Sequence, residues 1–213
     1  MRVLVLGGAG FVGRHAVAAL LGRQHEVIVG SRYPERAARR LPVQAHRCER
    51  RTVRFEKLLT ADAWRPVLTG IDVVLNCVGI LRQRGAETYE KVHHLAPAAL
   101  ADACSLTGVR RLVHVSALGL GERVTSGFLT SKRHGEAALL ARSIDCVIVR
   151  PSLLDGPDGY GTRWFRKVAR WPVHFIPASA RGRIAPLDVD ALGVALSVLC
   201  EIDDLPMREI ELG

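Results

Sequence analysis

The sequence predicts an α/β protein built on a doubly wound parallel sheet, the Rossmann fold, with a small C-terminal cap. Short apolar runs rich in valine and isoleucine recur between Arg2 and Val149, and each is too brief to be a helix. Nearly continuous runs of this kind are typical of parallel strands buried on both faces. Segments with helical spacing lie between them, and repeated strand, helix, strand units produce a parallel sheet covered on both sides.

Six strands are predicted, at residues 2–6, 26–29, 43–46, 72–76, 112–115 and 146–149. The spacing predicts a first helix over residues 11–21. A longer helix is predicted over residues 88–107, ending at Gly108, because glycine readily takes the left-handed conformation that stops a helix.

The pattern changes beyond Pro151 to proline- and glycine-rich loops. Short helices are predicted there at residues 162–170 and 189–201, and the letters REIEL predict a last strand. This part is too short to be a domain of its own. We therefore expect a single domain over residues 1–213, to which residues 151–213 contribute a small cap on the substrate side.

Composition indicates an ordinary globular protein, with 48% hydrophobic and 24% charged residues. The five cysteines include no C-x-x-C pair and have no histidine at metal-ligand spacing, so neither a disulfide framework nor a metal site is predicted. A reducing, cytoplasmic location fits this best. The apolar N-terminal run is too short for a signal peptide core or a membrane span, and we expect a soluble chain.

The net charge of +9 permits nucleic acid, anionic lipid or a phosphorylated cofactor as partner. No basic stretch with interleaved aromatic residues is present, and no recognition motif for nucleic acid is found. Nucleic acid is therefore not expected and is the least favoured of these partners.

A glycine-rich loop follows the first predicted strand, in the letters VLVLGGAGFVG. Gly7, Gly10 and Gly13 would allow a tight turn, the close approach of a pyrophosphate, and close packing of the following helix. Phe11 and Val12 begin that helix, whose N-terminal N–H groups favour phosphate. The position of this loop between a strand and a helix predicts a dinucleotide site.

The end of the second strand indicates which dinucleotide is bound. NAD sites carry an acidic residue there for the ribose hydroxyls, whereas this chain has Ser31 followed by Arg32. Serine and arginine can both donate hydrogen bonds to a 2′-phosphate, so NADP is favoured, with NAD as the alternative. Arg36, Arg39 and Arg40 either add positive potential nearby or are solvated charges on a helix surface.

Six segments together resemble the short-chain dehydrogenase/reductase superfamily in its atypical or extended branch. They are GGAGFVG, DVVLNCVGIL, VHHLAPAALADACSLTGVRRLVHVSALG, SKRHGEAAL, VIVRPSLLDGP and IAPLDVDAL. The chain is most similar to bacterial relatives of the NmrA-like proteins and of the reductase-like accessory subunit of respiratory complex I. The resemblance implies a nicotinamide dinucleotide bound along the carboxyl ends of the strands.

The resemblance also implies roles for particular residues. Cofactor contacts would come from Asn76, Cys77, Val78 and Gly79 at the adenine ribose, Ser116 beside the nicotinamide, Lys132 at the nicotinamide ribose, and Arg150, Pro151 and Ser152 along the carboxamide. Of these, Ser116 and Lys132 would be the catalytic residues. Asp188 and Asp190 are expected to cap the helix that follows them.

The chain departs from the superfamily pattern at its catalytic centre. Active members carry a tyrosine four residues before the lysine, and Phe128 stands at that position. His93 replaces an asparagine that orders a relay water, and Cys48 with Glu49 replaces the pair that meets the adenine. Groups that could replace the missing acid are Tyr89, Tyr160, His93 and His94.

Two hypotheses follow from these departures. In the first, the protein is an oxidoreductase that transfers hydride between NADP(H) and a carbonyl or quinone-like substrate, with a substitute for the missing tyrosine or without one. In the second, it is a non-catalytic NADP(H)-binding sensor or an assembly or scaffold protein. The sequence favours the first slightly and identifies neither the substrate nor the oligomeric state.

Overall fold

The computed structural model describes residues 1–121, 124–174 and 185–213. Its strands are β1 (Arg2–Leu6), β2 (Glu26–Ser31), β3 (Glu49–Thr52), β4 (Val73–Asn76), β5 (Arg111–Val115), β6 (Cys146–Pro151), β7 (Leu154–Asp155), β8 (Leu187–Asp188) and β9 (Glu209–Leu212). Seven of them form one parallel sheet in the order β3-β2-β1-β4-β5-β6-β9, and β7 pairs with β8 in a separate small sheet.

The α-helices are α1 (Phe11–Gly22), α2 (Pro34–Ala38), α3 (Ala61–Leu68), α4 (Ala96–Thr107), α5 (Gly127–Leu140), α6 (Tyr160–Val168) and α7 (Val189–Glu201). Two 3₁₀ turns span Val43–Arg47 and Phe55–Lys57. A π-helical segment, Glu90–Leu95, runs directly into α4, and Gly108 ends α4 with φ of +75° as expected. None of the helices in the described ranges is both long and apolar enough to cross a membrane.

The strand order changes direction between β1 and β4, so the loops after these strands diverge and leave a crevice. Leu6, the last residue of β1, pairs with Gly30 of β2 on one side and Asn76 of β4 on the other. The carboxyl ends of the three strands therefore meet at one edge. In doubly wound sheets this is the place where ligands bind.

Two apolar layers cover the sheet. On β1, Leu4 packs into the layer formed with α3, α4 and α5, whereas Val5 packs with α1 and α7 on the opposite face. Successive residues of a strand point to opposite faces, which explains why the strands are apolar throughout. Gly193 of α7 lies so close to α1 that a Cβ atom there would be 2.8 Å from the carbonyl carbon of His15.

The third strand differs from the sequence prediction. Residues 43–46 form a 3₁₀ turn, and β3 begins six residues later than predicted, at Glu49. Ala45 of the turn and Leu41 just before it are buried in the apolar layer that includes α1, which explains the apolar residues in this part of the sequence. β3 is an edge strand of charged residues, in which Glu49 pairs with Arg2 and Arg51, so no apolar run indicates it.

Residues 151–213 contribute to the main sheet as well as to a cap. The predicted last strand is present as β9, which pairs with β6, and the predicted helix over residues 189–201 is α7. Asp188 caps α7 as expected, accepting hydrogen bonds from the N–H groups of Asp190 and Ala191. Among the described residues of this region, β7, α6 and β8 lie apart from the main sheet and form a small cap.

Candidate functional site

A cavity of about 360 Å³ lies at the carboxyl ends of β1, β2 and β4. The predicted cofactor residues that line it are Gly7, Gly10, Ser31, Arg32, Cys77, Val78 and Gly79. They come from three loops, which the crossover at the centre of the sheet brings together. Seven of the predicted cofactor residues therefore line one cavity, and the other predicted cofactor residues do not line it.

The glycine loop forms the turn that the motif predicts. Gly7 has φ of +72°, and a Cβ atom on Gly13 would lie 2.3 Å from the Gly7 carbonyl oxygen, so both positions require glycine. Gly10 precedes α1, and no side chain caps the helix there. The N–H groups at the N-terminus of α1 therefore have no side-chain cap and can bind an anion at the cavity wall. Phe11, Val12 and Gly13 form the first turn of α1 without lining the cavity.

Arginines gather at the β2 end of the cavity. Arg32, Arg36 and Arg40 line it, whereas Arg39 does not. The Ser31 hydroxyl accepts a hydrogen bond from the backbone N–H of Tyr33 at 3.3 Å, which leaves its own proton free to be donated.

An acidic residue that the sequence did not single out faces these arginines. Glu87 lines the same cavity, and its carboxylate binds the guanidinium of Arg32. The guanidinium groups of Arg36 and Arg54 both lie over the Tyr33 ring, with their Cζ atoms 5.3 and 5.6 Å from the ring centroid. The rim is therefore strongly positive, with one carboxylate among its described lining residues.

The residues predicted to meet the adenine are not at the cavity. Cys48 ends the 3₁₀ turn, and Glu49 begins β3 at the amino edge of the sheet, where it pairs with Arg2. The lining comes instead from Val53 and Phe55, which follow β3. This prediction was wrong because the strand was placed several residues too early.

Asn76 shapes the loop beside the cavity. Its amide donates a hydrogen bond to Nδ1 of His114 at 3.0 Å, and its side-chain oxygen accepts one from the N–H of Val78 at 3.0 Å. Asn76 is fully buried and does not line the cavity. Its described bonds hold the 77–79 loop in place. His114 is a polar residue inside an apolar strand, but nothing in the sequence identifies Asn76 as its partner.

Lys132 is buried on α5 next to the cavity loop. A Cβ atom on Gly79 would lie 3.8 Å from the Lys132 ammonium nitrogen, which is 5.8 Å from the centroid of the Phe128 ring. Within the described residues this ammonium has no hydrogen-bond partner. Burial lowers the pKa of Lys132 to about 8, although the nearby Glu136 carboxylate opposes the shift.

His93 is held in one protonation state by its bonds. Its Nε2 accepts the N–H of Ile80 at 3.0 Å, so Nδ1 carries the proton and donates to Ser131 Oγ at 2.9 Å. Ser131 in turn donates to the carbonyl of Phe128 at 2.8 Å. Burial and the charge of Lys132 lower the pKa of His93 to about 3. His93 is therefore neutral and cannot act as an acid at neutral pH.

The other candidate acids are not free at the lysine either. The Tyr89 ring stacks on His93 with centroids 5.5 Å apart, and its hydroxyl donates to the Leu81 carbonyl at 2.8 Å. His94 bonds Glu90 through Nδ1 at 2.8 Å. Tyr160 begins α6, and its side chain lies outside the described part of the structure.

Ser116 directly follows β5 and is buried, with 6% of its surface exposed. Its hydroxyl oxygen has no hydrogen-bond partner among the described residues. A buried hydroxyl in this state costs free energy unless a ligand completes its bonding. Ser116 and the side-chain-free wall at Gly10 and Gly79 therefore fit a bound dinucleotide.

The residues predicted along the carboxamide are not joined to this cavity. Pro151 and Ser152 line a second cavity of about 650 Å³ beside β9. The Ser152 hydroxyl donates to the Ala185 carbonyl. Arg150 binds the buried carboxylate of Glu136 at 2.6 Å, which raises its pKa and gives it a structural role.

The reversal of strand order, the glycine turn before α1 and the positive cavity define a dinucleotide-binding protein of the Rossmann type. The chain belongs to the NAD(P)H-binding family, whose model matches residues 7–170.

Similar proteins agree with this assignment. The chain is 30% identical to the ceramide reductase of Caulobacter vibrioides, covering 98% of this chain and 63% of that protein. It is 29% identical to subunit 9 of the NADH dehydrogenase [ubiquinone] 1 alpha subcomplex of Dictyostelium discoideum, covering 92% and 54%. The chain thus spans between about half and two-thirds of the length of these curated relatives.

A solved structure supports the fold. A short-chain dehydrogenase/reductase superfamily protein from Agrobacterium tumefaciens with bound NAD superposes with a TM-score of 0.69 at 18% identity, covering 100% of this chain and 77% of that chain. The resemblance to an atypical member of this superfamily is confirmed, and so is the expectation of a nicotinamide cofactor.

Proposed function

We propose that this protein is an NADP(H)-dependent oxidoreductase that transfers hydride between the cofactor and a carbonyl or quinone-like substrate in a reducing, cytoplasmic compartment. The observation that carries the proposal is the position of Lys132, a buried residue whose ammonium nitrogen lies beside Gly79 at the wall of the dinucleotide cavity. A lysine with a lowered pKa beside a ligand cavity is a candidate functional residue.

The arginines at the β2 end favour the 2′-phosphate of NADP. No carboxylate stands at Ser31, where one would repel this group, and Arg32, Arg36 and Arg40 all reach the cavity. Arginine matches the geometry of phosphate with paired hydrogen bonds. Glu87 opposes this preference, because it holds Arg32 and carries the same sign of charge as the phosphate.

A bound nicotinamide would supply the hydride. The chain itself must then supply or remove a proton at the substrate oxygen. Phe128 has no hydroxyl, and the described bonds of Tyr89 and His93 engage both as structural groups. Among the described side chains at this place, Lys132, whose pKa is lowered to about 8, is a proton donor poised near neutral pH. Ser116 would bind the same oxygen through its unpaired hydroxyl.

The cap formed by β7, α6 and β8 would provide the substrate side. Trp164 and Phe165 on α6 are 60% and 44% exposed, which gives the cap an apolar surface. One relative is named a ceramide reductase, and another is named as a subunit of an NADH dehydrogenase [ubiquinone]; ceramide and ubiquinone are both apolar molecules. A quinone accepts hydride with less help from a positioned acid, which suits a site without the tyrosine.

A second function, a non-catalytic NADP(H)-binding sensor or assembly protein, is favoured by the packing around Phe128. Its ring makes edge contacts with Tyr89 and His93 at 6.0 and 5.5 Å between centroids, so an apolar cluster occupies the place of the usual acid. The similarity to a subunit of a larger complex supports the same alternative.

One experiment separates the two functions. Calorimetric titration would measure the binding of NADPH and NADH, and NADPH oxidation would then be followed with a panel of quinones, aldehydes and ketones. We expect turnover with at least one acceptor, and its loss in Lys132→Met when NADPH is supplied at a concentration that saturates the variant. Tight NADPH binding without turnover on any acceptor would support the sensor, and absence of nucleotide binding would contradict both.

A further inference from the structure

Three side chains with metal-binding atoms meet on the surface near, but outside, the dinucleotide cavity. They are Glu90 and His94 of the π-helical segment and His134 of α5, and one ligand atom of each lies within 4.8 Å of the others. We propose that these residues form a binding site for a divalent transition metal ion of the zinc type.

The donor set suits such an ion. Imidazole nitrogen and carboxylate oxygen bind Zn²⁺ at about 2.0–2.2 Å, and three protein ligands leave a fourth position for water. The carboxylate of Glu90 also neutralises part of the ion's charge. Closing the present spacing to bonding distance requires only small side-chain rotations. These are available because Glu90 and His134 are exposed and the His94 side chain is 29% exposed.

The backbone holds the two elements at a fixed distance. Gly135, the neighbour of His134, packs so tightly on the π-helical segment that a Cβ atom there would lie 1.9 Å from the carbonyl oxygen of His93. His93 also bonds Ser131 of α5 at 2.9 Å. The ligands therefore stand on two helical elements in direct contact, as a preorganised site requires.

The three ligand side chains are already in contact with one another. His94 Nδ1 bonds Glu90 at 2.8 Å, and the His94 and His134 rings meet edge to face with centroids 6.0 Å apart. If His94 Nδ1 and the Glu90 carboxylate both bind the ion, their hydrogen bond is exchanged for two bonds to the metal. Glu90 and His134 are 44 positions apart in the chain, so sequence spacing gave no sign of a metal site.

The test uses the full chain without a histidine tag, stripped with a chelator and kept reduced. Calorimetry would measure Zn²⁺ binding to the wild type and to His94→Gln and His134→Gln. We expect one ion per chain and an affinity at least about tenfold weaker in each variant. The matched control is His46→Gln, which removes an exposed histidine from the 3₁₀ turn and should bind Zn²⁺ like the wild type. Zn²⁺ should also raise the melting temperature of the wild type and of His46→Gln, and it should not raise that of His94→Gln or His134→Gln.

Two results would overturn the proposal. One is the absence of Zn²⁺ binding at Zn²⁺ concentrations up to about 1 mM, because a dissociation constant above this value is too weak for a specific site. The other is unchanged binding in the double variant His94→Gln/His134→Gln. Substitution with Co²⁺ adds a spectroscopic readout, because a thiolate charge-transfer band would place the ion on cysteine instead. If either histidine variant fails to fold by circular dichroism, Glu90→Gln provides the same comparison.

Discussion

Glu87 binds the guanidinium of Arg32 at the rim of the dinucleotide cavity, and both residues line that cavity. The arginine that the sequence assigns to a 2′-phosphate therefore already has an anionic partner. A phosphate arriving there would compete with this carboxylate and be repelled by it. The strength of NADP binding thus depends on Glu87 as well as on Arg32.

Replacing Glu87 by glutamine should strengthen NADPH binding by about twofold to fivefold, since the Arg32 side chain is half exposed and such ion pairs contribute up to about 1 kcal/mol. NADH binding should change less, because it has no 2′-phosphate. Calorimetric titration of both cofactors measures this. Glu35→Gln, which removes an exposed carboxylate of α2 outside the cavity lining, is the control. Weaker NADPH binding in Glu87→Gln would contradict the assigned repulsion.

Arg32→Asp should reverse the cofactor preference, so that NADH binds more tightly than NADPH. The new carboxylate would repel the 2′-phosphate and accept hydrogen bonds from ribose hydroxyls. The matched variant is Arg39→Asp, which makes the same charge change on a residue that does not line the cavity. Equal affinities of the two cofactors in the wild type, or equal changes in NADPH affinity in the two variants, would show that Arg32 does not bind the 2′-phosphate.

Two glycines of the loop should respond differently to substitution. Gly10 has φ of −76°, which any residue can adopt, and a Cβ atom there would lie 3.0 Å from the Gly7 carbonyl oxygen, a milder contact than at Gly13. Because Gly10 lines the cavity, Gly10→Leu should fold with a smaller loss of stability and lose NADPH affinity by about tenfold or more. Gly13→Ala places a Cβ atom 2.3 Å from the Gly7 carbonyl and should lower the stability by about 1–3 kcal/mol.

Thermal melting and NADPH titration of both glycine variants separate these effects. Gly22→Ala serves as the control, because a Cβ atom at the end of α1 meets nothing within 4 Å. If Gly10→Leu bound NADPH like the wild type, the loop would be only a turn.

The stability of the cofactor-free protein should depend on pH through Lys132. Burial lowers its pKa to about 8 in the folded state, against about 10.4 in an unfolded chain. The unfolded chain thus binds more protons between these values, so stability should rise as pH increases from about 8 to about 10.4. Melting curves across this range, for the wild type and Lys132→Met, isolate the effect. Parallel curves for the two proteins would mean that Lys132 is not buried as a titrating group.

Phe128→Tyr should restore an acid beside Lys132 without moving either residue, since the two are four positions apart on α5. Carbonyl reduction should then rise, by at most about 10²–10⁴, if the substrate site is otherwise competent. Steady-state rates of NADPH oxidation with aldehydes and ketones test this. Unchanged rates together with intact NADPH binding would favour the sensor or assembly protein.

The sequence predicted the elements that carry their own local signal. β1, the glycine turn and α1 were predicted because buried strand letters, glycines and helical spacing follow one another directly. β3 was misplaced because an edge strand is stabilised by ion pairs, such as those of Glu49, that leave no apolar run.

The long-range pairs within the site were out of reach of the sequence. Glu87 meets Arg32 across 55 positions, and Asn76 meets His114 across 38. Neither pair has a spacing that a motif could show, because strand order and loop path bring the partners together. The role of Lys132 depends on its burial, which the position of Gly79 and the packing of α5 decide.

The π-helical segment makes the site sensitive to chain length as well as to side-chain identity. Each turn of this segment contains more residues than a turn of α-helix. A segment one residue shorter could continue into α4 as an ordinary α-helix. Deleting a single residue there would rotate everything before it by about 100° around the axis. Tyr89 would then leave the His93 ring, so even the smallest possible deletion would break the stacking between these two rings.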